Sequence, residues 1–548
     1  MRVQSITSSD VPSSSTVSVQ GNLAVVEFPR FNLDAYRTFL ACKKLPESQV
    51  SYDWRSDSYR LTAPARFADR IGGDVIAVAT SDRLPVADYL FDYQAWVLGL
   101  ALDAKRFAAW LDTGLGKTAV LLEYARQVQA ITGARVLILQ PLSIQEQTME
   151  KVAEWYDGTL PITTLDSREA LVAWCAGSGD GIGLCNYEKL IPGVIPEFRH
   201  LGGLVCDESG VLKSGGGVIK WNLIKSARGI EYKLSLTATP APNDTMEYAS
   251  QASFLEKLRT EGEILWTYFT RDSKTNEWRV KPHARQAFYE FMASWSVYVR
   301  NPARFGFRDI LATLPPPDVR EYELPLSDVQ REMMHGLLGP KGGLFNDDRL
   351  TLSERSRLGQ LARGFLYDNS GSKRRAVRYA SAKPEMVARL VTEDAADGRQ
   401  VIVWTIFDEE GEIVSEYLPA EIDRAILSGK QTDNQRAELI RRFKAGELPV
   451  LISKASLIGY GLNFQNCRSM VFSGIDDSFE RLYQSIRRAY RYGQTETVRV
   501  HIPVIPELEG TVFGNVMRKQ ARFDEETAIQ EEHYRRALGM GAMTEGAA

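Results

Sequence analysis

Apolar residues fall along this chain in short continuous runs, each closed by a polar or glycine-rich turn. In the first half the runs are Phe107–Leu111, Val136–Leu139, Gly183–Cys185, Leu204–Cys206 and Tyr232–Leu236, with helical patterns between them. A continuous run predicts a strand covered on both faces, where a half-exposed strand would alternate. Strands alternating with helices predict a parallel sheet with helices packed on it. Such sheets bind ligands at the carboxyl ends of their strands.

The second half repeats the pattern after a break. Pro315-Pro316-Pro317 reads as a stiff, extended linker that suits neither a helix nor a central strand. A mostly helical stretch over 327–395 follows, then strands at Val401–Thr405, Val450–Ser453, Met470–Phe472 and Val498–Ile502. The expected fold is therefore α/β: a lobe over 86–314 and another over 315–548 with the helical insertion, joined across a hinge. Ahead of them, 21–85 reads as a small α+β domain. It would hold a strand at Leu23–Phe28, a helix at Asp34–Leu40, a hairpin over Tyr52–Leu61 and a second helix at Pro64–Ile71. Residues 1–20, rich in Ser and Thr, read as a flexible tail.

Composition changes this picture little. The chain has 548 residues, 44% hydrophobic and 25% charged, with a net charge of −4. A nucleic-acid partner would have to be met by local positive charge. Ser372–Arg378 and the group Arg487, Arg488 and Arg491 supply it, with a solvated surface as the plain alternative. The five cysteines form no CxxC pair, which disfavours a structural zinc site and suits a reducing cytoplasm. No apolar run approaches the ~20 residues of a membrane helix, so a soluble cytoplasmic protein with no membrane partner is expected.

Candidate chemistry lies just after the apolar runs. Asp112-Thr113-Gly114-Leu115-Gly116-Lys117-Thr118 follows a strand and opens a helix, as a phosphate-binding loop must. Gly114 and Gly116 let backbone N–H groups, with those of Thr113 and Leu115, close on phosphate oxygens. Lys117 would reach the β- and γ-phosphates of ATP, and the Thr118 hydroxyl would bind Mg²⁺. The strict pattern has Gly where this chain has Leu111. Leu204–Cys206 ends in Asp207 and Glu208, suited to hold Mg²⁺ and to orient the attacking water; an ordinary strand end is the alternative. Gln94 has an amide able to pair with both edges of adenine, or it is a surface glutamine. Ser235–Pro240 is either a hydrogen-bond switch or a common strand exit. Gln484, Arg488 and Arg491, spaced i, i+4, i+7, would share one helical face. Arginines there could neutralise the γ-phosphate in the transition state, or face nucleic acid. Gly459–Asn463 permits close backbone approach to a phosphate, or forms a plain turn.

In this order the motifs resemble the engine of superfamily-two helicases of the Swi/Snf type. Tyr93-Gln94 is similar to the Q motif and Thr113–Thr118 to motif I. Leu137–Trp155, with Gln140–Ser143, resembles motif Ia, and Asn186-Tyr187-Glu188 motif Ib. Asp207-Glu208-Ser209 with Lys213 is similar to motif II, and Thr237–Asn243 to motif III. Val401–Phe407, Gly459–Asn463 and Gln484–Gln494 resemble motifs IV, V and VI. The likeness covers about 90–545. Trp278–Ala284, Trp295–Pro302, Ser478-Phe479-Glu480 and Arg487-Arg488 narrow it to members carried by bacteriophages and prophages. Ser209-Gly210 and Ile458 depart from the usual motifs II and V.

The resemblance implies two RecA-like lobes that close on ATP and Mg²⁺ and step along duplex or branched DNA without reading its sequence. Motifs Ia, Ib, IV and V would touch phosphates. Replication or recombination proteins are possible partners, and a phage-encoded chain would work in the bacterial cytoplasm. The other readings are a nucleotide-switched DNA-binding scaffold without motor activity and an RNA-directed helicase.

Overall fold

The apolar runs of the first half do form a sheet, and every strand pair in it is parallel. In the computed structural model the described residues are 17–20, 23–28, 39, 45, 48–53, 58–65, 84–213, 217–240, 247–258, 260–271, 278–308, 314–338, 350–368, 375–455, 457, 463–491 and 493–537. They fall into two compact units. One draws on 1–112, 116–308 and 527–548; the other on 309–526 together with 113–115.

A small antiparallel sheet precedes the first lobe, in the order β1-β2-β4-β3. Its strands are β1 (Val17–Gln20), β2 (Leu23–Phe28), β3 (Gln49–Asp53) and β4 (Ser58–Pro64). The hairpin expected over Tyr52–Leu61 is β3 paired with β4. Two expectations need correction. Val17–Gln20, assigned to a flexible tail, pairs with Leu23–Val26 as an edge strand. Pro64, placed at a helix start, ends β4, where it pairs with Leu23. The helix expected at Asp34–Leu40 lies outside the described residues except for Phe39, and the rest of Pro64–Ile71 beyond Ala65 also does.

The first lobe is a seven-stranded parallel sheet among the described residues. Its strands are β5 (Arg106–Leu111), β6 (Arg135–Leu139), β7 (Ile162–Thr164), β8 (Gly181–Cys185), β9 (Gly203–Cys206), β10 (Tyr232–Thr237) and, after a ribbon of β11 (Phe269–Arg271) and β12 (Trp278–Val280), β13 (Ser296–Val299). The order β13-β5-β10-β9-β6-β8-β7 sets β10 between β5 and β9. The segment entering this lobe is fixed by helix Lys117–Thr132. The Gln127 amide takes the Leu84 N–H at 2.9 Å and donates to the Leu84 carbonyl at 2.9 Å. Glu123, fully buried, accepts from Arg126, Gln127 and the Tyr156 hydroxyl, so its charge is paired and hydrogen-bonded.

The second lobe is also wholly parallel, in the order β14-β21-β20-β17-β19-β18. Its strands are β14 (Asp318–Glu323), β17 (Val401–Thr405), β18 (Arg424–Leu427), β19 (Val450–Lys454), β20 (Ser469–Phe472) and β21 (Arg499–Val504). The expected helical insertion holds helices Asp328–Leu338, Leu352–Ala362 and Ala382–Ala396, but also a ribbon of β15 (Phe365–Asp368) with β16 (Arg375–Arg378). A further correction concerns the end of the chain. The helix Pro506–Ala537 begins in this lobe, yet its last turns belong to the first. There Glu531 accepts from the Arg300 N–H and the Arg304 guanidinium, and the Tyr534 and Ser296 hydroxyls bond at 2.6 Å.

A buried charge cluster ties the helices of the second lobe together. Arg363 pairs with Glu410 at 3.0 Å and with Glu509 at 3.2 Å, and Lys383 also pairs with Glu509. Glu410 further accepts the N–H groups of Ile406 and Phe407, which closes the end of β17. Removing one partner leaves unpaired buried charge. We therefore expect Arg363→Leu to destabilise the protein by about 3–5 kcal/mol. A denaturant titration checks it, and an unchanged midpoint would show that the cluster holds nothing together.

Candidate nucleotide site

Because β5 and β9 both pair with β10, the segments leaving their carboxyl ends meet. After β5 the chain turns through Thr113–Gly116. Gly114 and Gly116 have φ of 92° and 72°, a left-handed backbone that side-chain-bearing residues adopt at a cost. Gly116 is also the N-cap of helix Lys117–Thr132. A Cβ on it would lie 2.3 Å from the Gln94 amide nitrogen. The loop therefore needs glycine here for two reasons, and Gln94 sits directly against it. The Gln94 amide also has a local task. It accepts the Phe91 N–H at 3.0 Å, capping helix Asp92–Ala104, and donates to the Tyr93 hydroxyl at 3.2 Å.

Lys117 opens the helix after the loop. Its Nζ lies 3.5 Å from Glu208 Oε1 and donates to the Leu111 carbonyl at 3.4 Å. Thr118 follows it on the helix and is partly exposed. Asp207 is buried, and its Oδ1 accepts the Glu208 N–H at 2.9 Å. Burial, with the Glu208 charge beside it, pushes the Asp207 carboxyl up to about 7 against the pull of Lys117. A buried acid raised this way is stabilised as a carboxylate by an added cation. Glu208 itself has φ of 44°, a strained conformation for a non-glycine residue, worth roughly 1–3 kcal/mol. Tyr187 holds the turn from below, its hydroxyl donating to the Asp207 carbonyl at 2.7 Å. Tyr187 was expected in a phosphate-contacting motif; it is buried under the acids instead.

One buried network was not legible in the sequence. Ser235 Oγ on β10 lies 2.9 Å from Ser209 Oγ and 3.0 Å from Gln251 Oε1. That same oxygen accepts the Trp110 indole N–H at 2.8 Å, and the Gln251 amide nitrogen donates to the Pro240 carbonyl at 3.3 Å. Gln251 thus joins β5, β10 and the exit of β10, and Ser235 links it to the turn after the acids. It comes from helix Glu247–Phe254, in a stretch of small and polar residues that carries no motif.

The second-lobe candidates occupy different local positions from those expected. The helix runs only Phe479–Arg487, with Arg488 as its C-cap and Arg491 beyond it, so the three residues do not share one helical face. The turn is set by Gln494, whose amide donates to the Gln465 and Cys467 carbonyls while its oxygen accepts from Thr495 and Glu496. Gln484 donates to Glu480 at 3.2 Å. Arg488 is buried with its guanidinium 5.9 Å from the Trp404 ring centre. Burial lowers the pKa of Arg491. Trp404 also lines a small pocket of about 60 Å³ at the carboxyl ends of β17, β19 and β20. Of Gly459–Asn463, only Asn463 lies within the described residues, and of Ser372–Arg378 only Arg375 onward. The four described cysteines are buried free thiols.

A glycine loop and paired acids at the carboxyl ends of one parallel sheet, followed by a second parallel α/β lobe, form an arrangement suited to nucleotide hydrolysis. The family model for the helicase conserved C-terminal domain matches residues 382–493. Putative protein p41 of Acyrthosiphon pisum secondary endosymbiont phage 1 is 24% identical over 404 residues, 68% of this chain and 82% of its own. The probable ATP-dependent DNA helicase CHR23 of Arabidopsis thaliana is 22% identical over 74% of this chain and 40% of its own length. The Sulfolobus solfataricus SWI2/SNF2 ATPase core in complex with dsDNA aligns with 83% of this chain and 98% of its own, at 17% identity and a TM-score of 0.37. The second lobe thus carries a match to a helicase C-terminal domain, and the chain is similar over 68–74% of its length to the phage protein and the plant helicase. It spans most of the phage protein and well under half of the plant helicase.

The Gln251 network yields a prediction. Gln251→Leu keeps the volume and removes the bonds to Trp110, Ser235 and Pro240. ATP turnover should fall roughly tenfold, since about 1.4 kcal/mol of lost positioning is one hydrogen bond's worth. Steady-state kinetics would decide it; a loss confined to KM would place the network in binding instead.

Proposed function

We propose that this chain is an ATP-dependent translocase or helicase that remodels duplex or branched DNA, with residues 86–314 and 315–526 as its two motor lobes. The observation that carries the reading is the meeting of Lys117 with Glu208, beside the buried Asp207, on a chain with a helicase C-terminal domain. In this reading the loop Thr113–Thr118 cradles the phosphates, Lys117 contacts the β- and γ-phosphates, and Gln94 reads adenine. Glu208 orients the attacking water. Gln484, Arg488 and Arg491 approach the γ-phosphate from the second lobe when the lobes close. The relatives' names, and a phage protein that this chain matches over most of its length, support DNA as the track and a bacterial cytoplasm as the place.

The site suits Mg²⁺. Asp207 is a buried carboxylate raised by its surroundings and next to a second acid, and Thr118 offers a hydroxyl. Among the described residues no cluster of three or more His, Cys, Asp or Glu forms a metal cage of its own. That fits an ion bound by two protein ligands and the phosphates. When bound, the ion would neutralise charge on the phosphate oxygens. Thr118 and Asp207 would hold it, while Lys117 would contact the phosphates.

Lys117→Ala should reduce ATP hydrolysis at least a hundredfold while circular dichroism stays native; normal hydrolysis by this variant would refute the assignment. Arg488→Ala should cut turnover about 10³-fold with little loss of ATP affinity. The opposite split, weak binding with intact turnover, would remove Arg488 from the transition state. Hydrolysis compared across duplex, forked and single-stranded DNA and RNA identifies the track, and triplex displacement separates a motor from a scaffold.

A further inference from the structure

The last turns of helix Pro506–Ala537 pack into the first lobe through polar side chains. Thr527, Gln530, Glu531, Tyr534 and Arg535 are buried there, at i, i+3, i+4, i+7 and i+8, so they share one face of the helix. An apolar face would pack for its burial alone. A polar face costs free energy unless its groups meet partners. Here the partners lie close to the nucleotide site. The Gln530 side-chain oxygen accepts the Tyr248 hydroxyl at 3.1 Å, and its nitrogen donates to the Tyr534 hydroxyl at 3.1 Å. Tyr248 shares a helix with Gln251, and its ring centre is 5.1 Å from that of Trp110 on β5.

Glu531 bears most directly on the phosphate loop. It is buried, and it accepts the Arg300 N–H at 3.2 Å and the Arg304 guanidinium at 3.0 Å. β13 runs beside β5 as far as the pair Val299 and Leu111. One residue on, the Asp112 N–H donates to the Val299 carbonyl at 3.0 Å. The Val299 carbonyl and the Arg300 N–H belong to one peptide unit. That unit is therefore held at both ends, by Glu531 on its N–H and by Asp112 on its oxygen, and bonds in such a series strengthen one another. The Asp112 carboxylate is itself fully buried, 4.0 Å from Arg300 Nε. Asp112 is the residue from which the glycine loop departs. We propose that Glu531 is a positioning residue for the phosphate loop, acting on Asp112 through the peptide unit between Val299 and Arg300. The proposal rests on the reading of Thr113–Thr118 as the loop that cradles ATP. It goes beyond that reading by making the last turns of helix Pro506–Ala537 part of the loop's support.

The test is amide hydrogen exchange of the nucleotide-free full chain, read by mass spectrometry over the phosphate loop and over β6 and β8, with ATP turnover measured on the same proteins. Glu531→Ala should speed exchange in the loop about tenfold and leave β6 and β8 unchanged, because the opening is local. Its kcat should fall about tenfold while KM for ATP stays within about twofold, since a misplaced loop costs rate more than binding. Glu531→Gln keeps an acceptor for the Arg300 N–H and should restore both. Should Glu531→Ala fail to fold, Glu531→Asp carries the test, because it keeps the charge and withdraws the carboxylate from the N–H by one methylene. Unchanged loop exchange in the folded variant overturns the proposal, as does a rise of equal size in β6 and β8. Faster loop exchange with unchanged turnover also overturns it. If the wild-type chain hydrolyses no ATP but the variant still speeds loop exchange, the motor reading falls and the support of the loop by Glu531 stands.

Discussion

The contact between Lys117 and Glu208 depends on one arrangement: β5 and β9 lie on either side of β10, all three running the same way. In register, Ala108 of β5 and Cys206 of β9 both pair with Ser235 of β10. β9 stops at that level and releases its acids at once. β5 continues three residues further, to Leu111, before it turns into the glycine loop. The extra length gives the loop room to curl back, so the first helical residue, Lys117, returns to the level of Glu208. A parallel sheet with a different order would leave the same motifs intact in sequence and separated in space.

That geometry has a cost, and buried polar groups around it offset the cost. Glu208 occupies a left-handed conformation, and Asp207 is a carboxyl in a poorly solvated position. Tyr187 from below and Ser209 from the following turn hold the backbone there through hydrogen bonds, with Ser235 and Gln251 extending the support to β10 and β5. Each of these groups is a side chain with a defined partner, which is what makes a strained turn persist. The support is concentrated under the acids, where charge would gather during hydrolysis.

The sequence made the central strands legible because they are buried on both faces and read as continuous apolar runs. β5, β6, β9 and β10 of the first lobe and β17, β19 and β20 of the second agree with expectation within a residue or two. The strands it did not reveal are different in kind. β7, β14 and β18 lie at or near sheet edges, and β14, Asp-Val-Arg-Glu-Tyr-Glu, exposes most of its side chains. An edge strand pairs on one side only, so it can carry charge and loses the hydrophobic signal. β13 is buried but follows helix Arg285–Trp295 with no intervening turn, so its apolar residues read as a continuation of the helix. Likewise no local pattern marks the point in Pro506–Ala537 where the partners change from one lobe to the other. The phosphate loop and the acids were legible since each is contiguous. The support from Gln251 and Tyr187 was not, because it forms only when distant segments meet.

The paired arginines at the end of helix Phe479–Arg487 show how a local reading is reshaped by packing. A spacing of i, i+4, i+7 treats Gln484, Arg488 and Arg491 as one face, yet the helix has already ended at Arg487. Arg487 lies between the rings of Tyr483 and Tyr490, at 5.2 and 4.9 Å, and donates to the Tyr483 hydroxyl. Its charge is absorbed by the turn it stabilises. Arg488 and Arg491, by contrast, are set on a bend closed by Gln494, which spends both ends of its amide on backbone groups. Adjacent arginines of identical charge therefore separate by environment: one holds the bend, and the other two remain the candidates for contact with phosphate. The basic cluster is not a uniform patch: Arg487 is held between two rings, and Arg488 and Arg491 sit on a bend rather than on a helical face.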